Sequence, residues 1–235
     1  MLNDEKLLQL FCKQQIPLNG RAVVNAIRNA KPVRRVGGGS HNVPTRFASK
    51  KMGCVIQAES HKGELPFVYT REHDPATYEF YDQPSEVKLT YRAATGKRTT
   101  HRSTPDFFLI EENFMGWVEN KPEEQLQAAY KSGSERFVPD GKGGWRCPPG
   151  EVFAAQFGLK FRVCSDKSIN WMLVRNLEFL AESMERGGAP ANDQGDELRA
   201  VVHDAMEGAR RVSQIVQQLK KLSRKDDGEP GAIDL

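Results

Sequence analysis

The sequence predicts an α/β domain built on a mixed sheet, and three observations carry that class. Two short apolar runs, Phe107-Phe108-Leu109-Ile110 and Trp117-Val118, flank the polar, Gly-containing stretch Glu111-Glu112-Asn113-Phe114-Met115-Gly116. That layout suits two antiparallel strands joined by a turn. Helix-period segments follow at residues 123–129, 151–157 and 169–182, with a strand pattern, Phe161-Arg162-Val163-Cys164, between the last two. Strand, strand, helix, strand, helix is the order of a sheet with helices packed on its faces. At 235 residues the chain can bury a sizeable core and still carry appendages.

Composition bounds the class further. With 28% charged and 38% hydrophobic residues a soluble globular protein is expected, and no apolar run reaches the length of a membrane span. The start, Met1-Leu2-Asn3-Asp4-Glu5, lacks the basic-then-apolar order of a signal peptide, so the expected location is the cytoplasm, with no membrane contact. Cys12, Cys54, Cys147 and Cys164 lie far apart and read as reduced thiols rather than a zinc site. His41, His61, His73, His101 and His203 show no zinc-ligand spacing either.

Residues 4–14 read as a helix capped by Asn3 or Asp4, with Leu7, Leu8, Leu10 and Phe11 as its apolar face. After a turn at Ile16-Pro17-Leu18-Asn19-Gly20, a second helix would turn Val23, Val24 and Ile27 inward and Arg21 and Arg28 outward. This pair is either a small DNA-reading unit or an arm packed on the main domain. Gly37-Gly38-Gly39-Ser40 marks a boundary between an arm over residues 1–36 and a domain over 44–182. It lacks the Lys-Ser/Thr ending of a phosphate-binding loop. Residues 46–56 look like a basic loop or hairpin. Residues 59–69 read as a helix that Gly63 and Pro66 weaken, and 78–84 and 87–91 precede the two core strands. The Gly- and Pro-rich segment 132–150 reads as a loop with Trp145 as an anchor. Past a linker at 186–194, residues 195–222 form an amphipathic helix that either folds back on its own domain or docks on another subunit. Residues 223–235 are expected to be disordered.

Net charge is only +3, yet it is distributed unevenly. Between Leu7 and Ala58 there is no acidic residue, while Lys13, Arg21, Arg28, Lys31, Arg34, Arg35, Arg46, Lys50 and Lys51 are all basic. Such a local excess attracts a polyanion by counterion release whatever the overall charge.

The chemistry concentrates around the two core strands. Asp106 opens the first, and Glu119 and Lys121 close the second on one face, with Asn120 on the other. Two hard oxygen ligands and an ammonium suit metal-assisted phosphodiester hydrolysis. On an exposed strand a Glu-x-Lys pair is ordinarily solvated and worth little. Here the strands are apolar on both faces, and charges at the ends of buried strands usually have a task.

Residues from about 46 to 180 resemble the TnsA-like transposon endonucleases, which share the restriction-endonuclease fold. The resemblance is carried in order by Ser49-Lys50-Lys51-Met52-Gly53, Asp82-Gln83-Pro84, Ser103-Thr104-Pro105-Asp106-Phe107, Glu119-Asn120-Lys121-Pro122, Ser165-Asp166-Lys167-Ser168-Ile169-Asn170 and Asn176-Leu177-Glu178-Phe179-Leu180. It implies a restriction-endonuclease-like core with a mixed sheet flanked by helices. It also implies catalytic positions at Glu64, Asp106, Glu119 and Lys121, the three acids binding Mg2+ with Mn2+ able to substitute. Glu59 is the alternative helix carboxylate and Glu79 a further one; in some relatives the third position is a glutamine. The implied activity is cutting at the 5′ ends of a transposon in double-stranded DNA. The implied partners are a TnsB-like transposase that handles the 3′ ends and a TnsC-like regulatory ATPase, and the expected DNA contacts are Arg34, Arg35, Arg46, Lys50 and Lys51. A non-catalytic DNA-binding or assembly subunit and a stand-alone restriction or repair nuclease are the competing readings.

Overall fold

The structure, a computed structural model, describes residues 1–33, 45–60 and 63–186. Met1–Glu178 is one compact unit and Phe179–Leu235 a second. The Gly37-to-Ser40 break, the amphipathic segment 195–222 and the tail 223–235 lie outside the described residues. No described helix is long and apolar enough to cross a membrane.

Two helices come first, α1 (Asp4–Lys13) and α2 (Leu18–Asn29). Asn3 caps α1 by accepting from the Lys6 N–H, and Asp4 and Glu5 favour its positive end. Both helices are part of the main core. Leu7, Leu10, Phe11, Ile16, Val24 and Ile27 are buried in one cluster with Phe108, Ile110, Met115 and Trp117. Gly20 permits the close approach, because a Cβ there would stand 2.0 Å from the Phe157 carbonyl oxygen. Arg28, expected on the outside, turns inward. Its guanidinium meets the fully buried Glu79 at 2.9 and 3.0 Å, and Glu79 also accepts from the Leu2 N–H at 2.6 Å. Glu79 is thereby a structural anchor for the arm.

The hairpin expected within residues 46–56 is β1 (Thr45–Ser49) and β2 (Cys54–Ala58), turning at Gly53 with φ +65°. Helix α3 spans Glu64–His73, so it starts later than the sequence pattern suggested. Gly63 sits before its first turn. Pro66 is tolerated inside that turn, where an N–H would have no intrahelical acceptor. Strand β3 (Thr77–Asp82) follows, then β4 (Val87–Arg92) and β5 (Arg98–Ser103), which pair as a separate antiparallel ribbon. The sequence reading found β4 and missed β5, whose polar residues, Arg-Thr-Thr-His-Arg-Ser, give no apolar run.

The central pair is β6 (Phe107–Glu111) and β7 (Met115–Lys121). Met115 and Gly116, expected in the turn, belong to the second strand. Helix α4 (Glu123–Lys131) and the short β8 (Val138–Pro139) and β9 (Trp145–Arg146) follow. Trp145 anchors the segment, donating from Nε1 to Glu123 at 3.0 Å. Helix α5 (Pro148–Ala155), β10 (Lys160–Ser165) and α6 (Trp171–Arg186) complete the order.

The main sheet runs β10-β7-β6-β3, with β10 parallel to β7 and the other neighbours antiparallel. The architecture is α/β, a mixed sheet flanked by helices, in keeping with a restriction-endonuclease-like core. Phe107, Phe108, Leu109 and Ile110 have no exposed surface, so both sheet faces are covered. Phe108, Ile110, Met115 and Trp117 pack towards α1, α2 and α5. Phe107, Leu109 and Val118 pack towards β2 and α3, with Met52, Ile56 and Val68. Each such side chain contributes about 1.5–3 kcal/mol by leaving water. Gly116 lets β10 pair closely with β7, since a Cβ there would lie 1.9 Å from the Lys160 carbonyl oxygen.

Candidate active site

The register of the central pair brings the start of β6 beside the end of β7. Pro105, itself buried, leads into Asp106, which is 9% exposed. One carboxylate oxygen of Asp106, Oδ2, accepts the Asn120 N–H at 2.6 Å, and its backbone carbonyl accepts the Gln83 N–H at 3.0 Å. Asp106 is thus held by the chain on both flanking strands.

Alternation along β7 sets its neighbours. Trp117 faces the α1 and α5 side and Val118 the α3 side, so Glu119 and Lys121 continue the Trp117 face. Glu119 is 2% exposed, with Oε1 accepting from Lys121 Nζ at 3.0 Å and from Arg136 Nη2 at 3.3 Å. Its other oxygen, Oε2, is buried and has no hydrogen-bond partner among the described residues. Arg136 also donates to Ser103 Oγ at 3.0 Å.

Glu64 is the first residue of α3, buried, and its Oε2 accepts the Glu59 N–H at 2.8 Å. Glu59 itself follows β2 and lies off the helix. Of the two candidate helix carboxylates, Glu64 is therefore the one on a helix. Its charge reaches Asp106. Burial pushes the Asp106 carboxyl up to about 8; the Lys121 ammonium opposes the rise, and the Glu119 and Glu64 carboxylates add to it. For Lys121, burial works against the charge, and Asp106 and Glu119 outweigh it, so the ammonium is held above its ordinary range.

The four expected positions are thus electrostatically one cluster. Among the described residues, no three His, Cys, Asp or Glu side chains form a ready-made cation cage. The donor chemistry nonetheless fits a hard divalent cation. The cluster offers carboxylate oxygens only, one of them buried with no partner among the described residues, and burial, with a further push from the neighbouring acids, raises Asp106. Lys121 and Arg136 supply the compensating positive charge in this arrangement.

The expected DNA contacts fare differently. Arg46 and Lys50 are exposed at the β1–β2 hairpin, while Arg34 and Arg35 lie outside the described residues. Lys51 is occupied elsewhere: its ammonium donates to the Arg71, Asp74 and Thr77 carbonyls at 2.7, 2.7 and 2.9 Å. All three protons tie the hairpin to the end of α3 and the segment that follows it, so Lys51 is a structural tether.

Arg136 and Ser103 were missed from sequence. Arg136 lies in the Gly- and Pro-rich stretch after α4, where no periodicity marks it. Only the chain's return past β7 reveals its contact with Glu119.

Residues 74–176 match the family model described as TnsA-like endonuclease N terminal. A comparison with curated proteins gives no match. The matched segment contains Asp106, Glu119, Lys121 and Arg136, and Glu64 lies before it. The match over residues 74–176 supports a TnsA-like endonuclease domain in this chain.

Proposed function

We propose that this chain is the metal-dependent DNA endonuclease subunit of a transposition machine, cutting the 5′ ends of the element. One observation carries the reading: within a TnsA-like domain, Asp106, Glu119 and Lys121 meet at one end of the central strand pair, and a buried oxygen of Glu119 lacks a partner among the described residues. Asp106 and Glu119, with Glu64, would hold Mg2+, or Mn2+ in its place. The cation supplies a lowered water pKa and charge neutralisation at the scissile phosphate.

The chain's own groups do the rest. Lys121, kept protonated by its two acids, would direct its ammonium at the attacking water and at charge growing on the phosphate. Glu119 holds that ammonium in place at 3.0 Å. Pro122 follows Lys121 and favours extended backbone there, which keeps the side chain on the strand face. Arg136 bridges Glu119 and Ser103 and so fixes the carboxylate's outlook. The tight backbone grip on Asp106 from Asn120 and Gln83 limits its freedom to drift.

Partners enter as proposals on the family assignment: a TnsB-like transposase for the 3′ ends and a TnsC-like regulatory ATPase. Incubation with transposon-end DNA, the partner transposase and Mg2+ or Mn2+ should give 5′-strand cuts. Asp106→Ala and Lys121→Ala should abolish those cuts while DNA binding stays. Cutting retained by both variants would remove the assignment and leave an assembly subunit, and cutting with no partner present would favour a stand-alone nuclease.

A further inference from the structure

The β4–β5 hairpin carries an exposed face that works against its own stability. Its register sets Lys88 opposite Arg102, Thr90 opposite Thr100, and Arg92 opposite Arg98, and all six side chains are exposed. Directly opposed residues in an antiparallel pair share a face with Cβ atoms about 4.5–5.5 Å apart, and like charges there repel. Two of the three rungs therefore set cation against cation. Shifting β4 by one residue would bury Lys88 and Arg92, because its other face, Val87, Leu89 and Tyr91, packs into the core beside α5.

Acidic relief is thin. Arg102 lies 3.8 Å from Glu86 and Arg92 3.8 Å from Glu135, with every one of these side chains at least 49% exposed. Pairs of that length and exposure are worth little. Lys88 and Arg98 have no ion pair among the described residues. Between the charged rungs the Thr90 and Thr100 hydroxyls lie 3.0 Å apart, further donors of the kind that meet phosphate oxygens.

Placement separates this face from an ordinary solvated one. The rung after Lys88 and Arg102 is Val87 with Ser103, and Ser103 accepts from the Arg136 guanidinium that holds Glu119. Asp106 follows Ser103 by three residues. The charged face from Lys88 to Arg92 extends about 14 Å at ~3.4 Å per residue, the length of roughly four base-pair steps. Since Arg102 and Ser103 point to opposite faces, these cations would meet DNA beside the cutting centre and not inside it.

We propose that the β4–β5 ribbon, through Lys88, Arg92, Arg98 and Arg102, binds the phosphate backbone of duplex DNA next to the scissile bond. The link to a scissile bond rests on the endonuclease reading above; the binding itself does not. Anisotropy titration of a fluorescein-labelled duplex over a range of salt concentrations tests it, with Asp106→Asn as the parent to prevent cutting. The fourfold variant Lys88→Gln, Arg92→Gln, Arg98→Gln and Arg102→Gln should bind about 10- to 100-fold more weakly, with its log–log salt slope flattened by about 3 to 4. Its melting temperature should be unchanged or higher, because the repulsion is gone. The milder pair Arg92→Gln and Arg98→Gln should lose about half of that slope.

Affinity and slope equal to the parent's in a folded variant would overturn the proposal. A ribbon that served an acidic protein instead would give that result. The two readings fail separately. If the endonuclease assignment is wrong, Asp106→Asn leaves cutting intact while the ribbon variants still lose salt slope. If only the ribbon proposal is wrong, Asp106→Asn loses cutting and the fourfold variant, with Asp106 restored, cuts at the wild-type's concentration.

Discussion

The two hairpins β4–β5 and β6–β7 share a topology and differ in every other respect. In β6–β7 both faces are buried and the polar groups are confined to the ends, where Asp106, Glu119 and Lys121 gather. In β4–β5 only β4 buries one face, and the other face of the ribbon displays opposed cations to solvent. The difference shows what each can be used for. A fully buried pair fixes side chains at its rim to within a hydrogen bond, which catalysis needs. A half-exposed ribbon cannot hold a metal site dry, but it can present charge over a length.

Mutations at the rim should have the largest effect. Asp106→Asn or Lys121→Ala is expected to cut strand cleavage by at least about 10²–10³-fold, with duplex affinity nearly unchanged. Cleavage assays and anisotropy on the same preparations check this, and a comparable loss of binding in these variants would break the division of labour between the hairpins.

The next effect is on stability. Phe108→Ala, in the fully buried strand and 5.3 Å centroid to centroid from Trp117, should cost about 3–5 kcal/mol. Thr90→Ala on the exposed ribbon face should stay within about 0.5 kcal/mol. Urea denaturation of both reads the contrast directly. Equal losses would mean that the ribbon is as much a part of the core as β6.

Lys51→Met should fall between them, costing about 1–3 kcal/mol, because three carbonyls lose their donor. The pH dependence of that difference has a definite sign. Burial holds the Lys51 ammonium down to about 8, against 10.5 for the free side chain. The unfolded chain therefore carries more protons between those values, and wild-type stability should rise relative to the methionine variant as pH increases through that window. The three carbonyl acceptors favour the charged form and keep the gain small. A difference that falls over the same window would show that the acceptors dominate.

The smallest expected change is at the outer ribbon rung. Arg98→Gln alone should leave stability within about 0.5 kcal/mol of wild type or slightly above it. A clear destabilisation would mean that Arg98 has a structural partner and would weaken the case for a surface kept for DNA.

How legible each region was in the sequence follows from the same contrast. Phe107 to Ile110 is an uninterrupted apolar run, so a buried strand could be read without a structure, and the spacing of Glu119 and Lys121 put them on one face. The β5 strand alternates nothing hydrophobic: Thr99, His101 and Ser103 pair with the buried side of β4 but are themselves polar, and the pattern vanished. Helix α3 starts at Glu64 and not at Glu59, because the chain is still leaving β2 there. Arg28 was assigned outward by periodicity alone, since Glu79 lies 51 residues away in sequence and nothing local announces it.

Local pattern therefore determined the class of the fold, the central strand pair, the first helix, and the residue types at the rim, while the structure chose Asn3 over Asp4 as the cap. Those features depend on neighbours two to four positions apart, which a sequence displays. Tertiary structure alone decided that Glu64 bears on Asp106, that Arg136 shares Glu119 with Lys121, and that Lys51 is consumed by carbonyls. It also aligned Lys88 with Arg102 and Arg92 with Arg98. Those relations join residues far apart in the chain, or depend on a strand register that packing sets, and an electrostatic field or a cross-strand repulsion exists only once the groups are brought together.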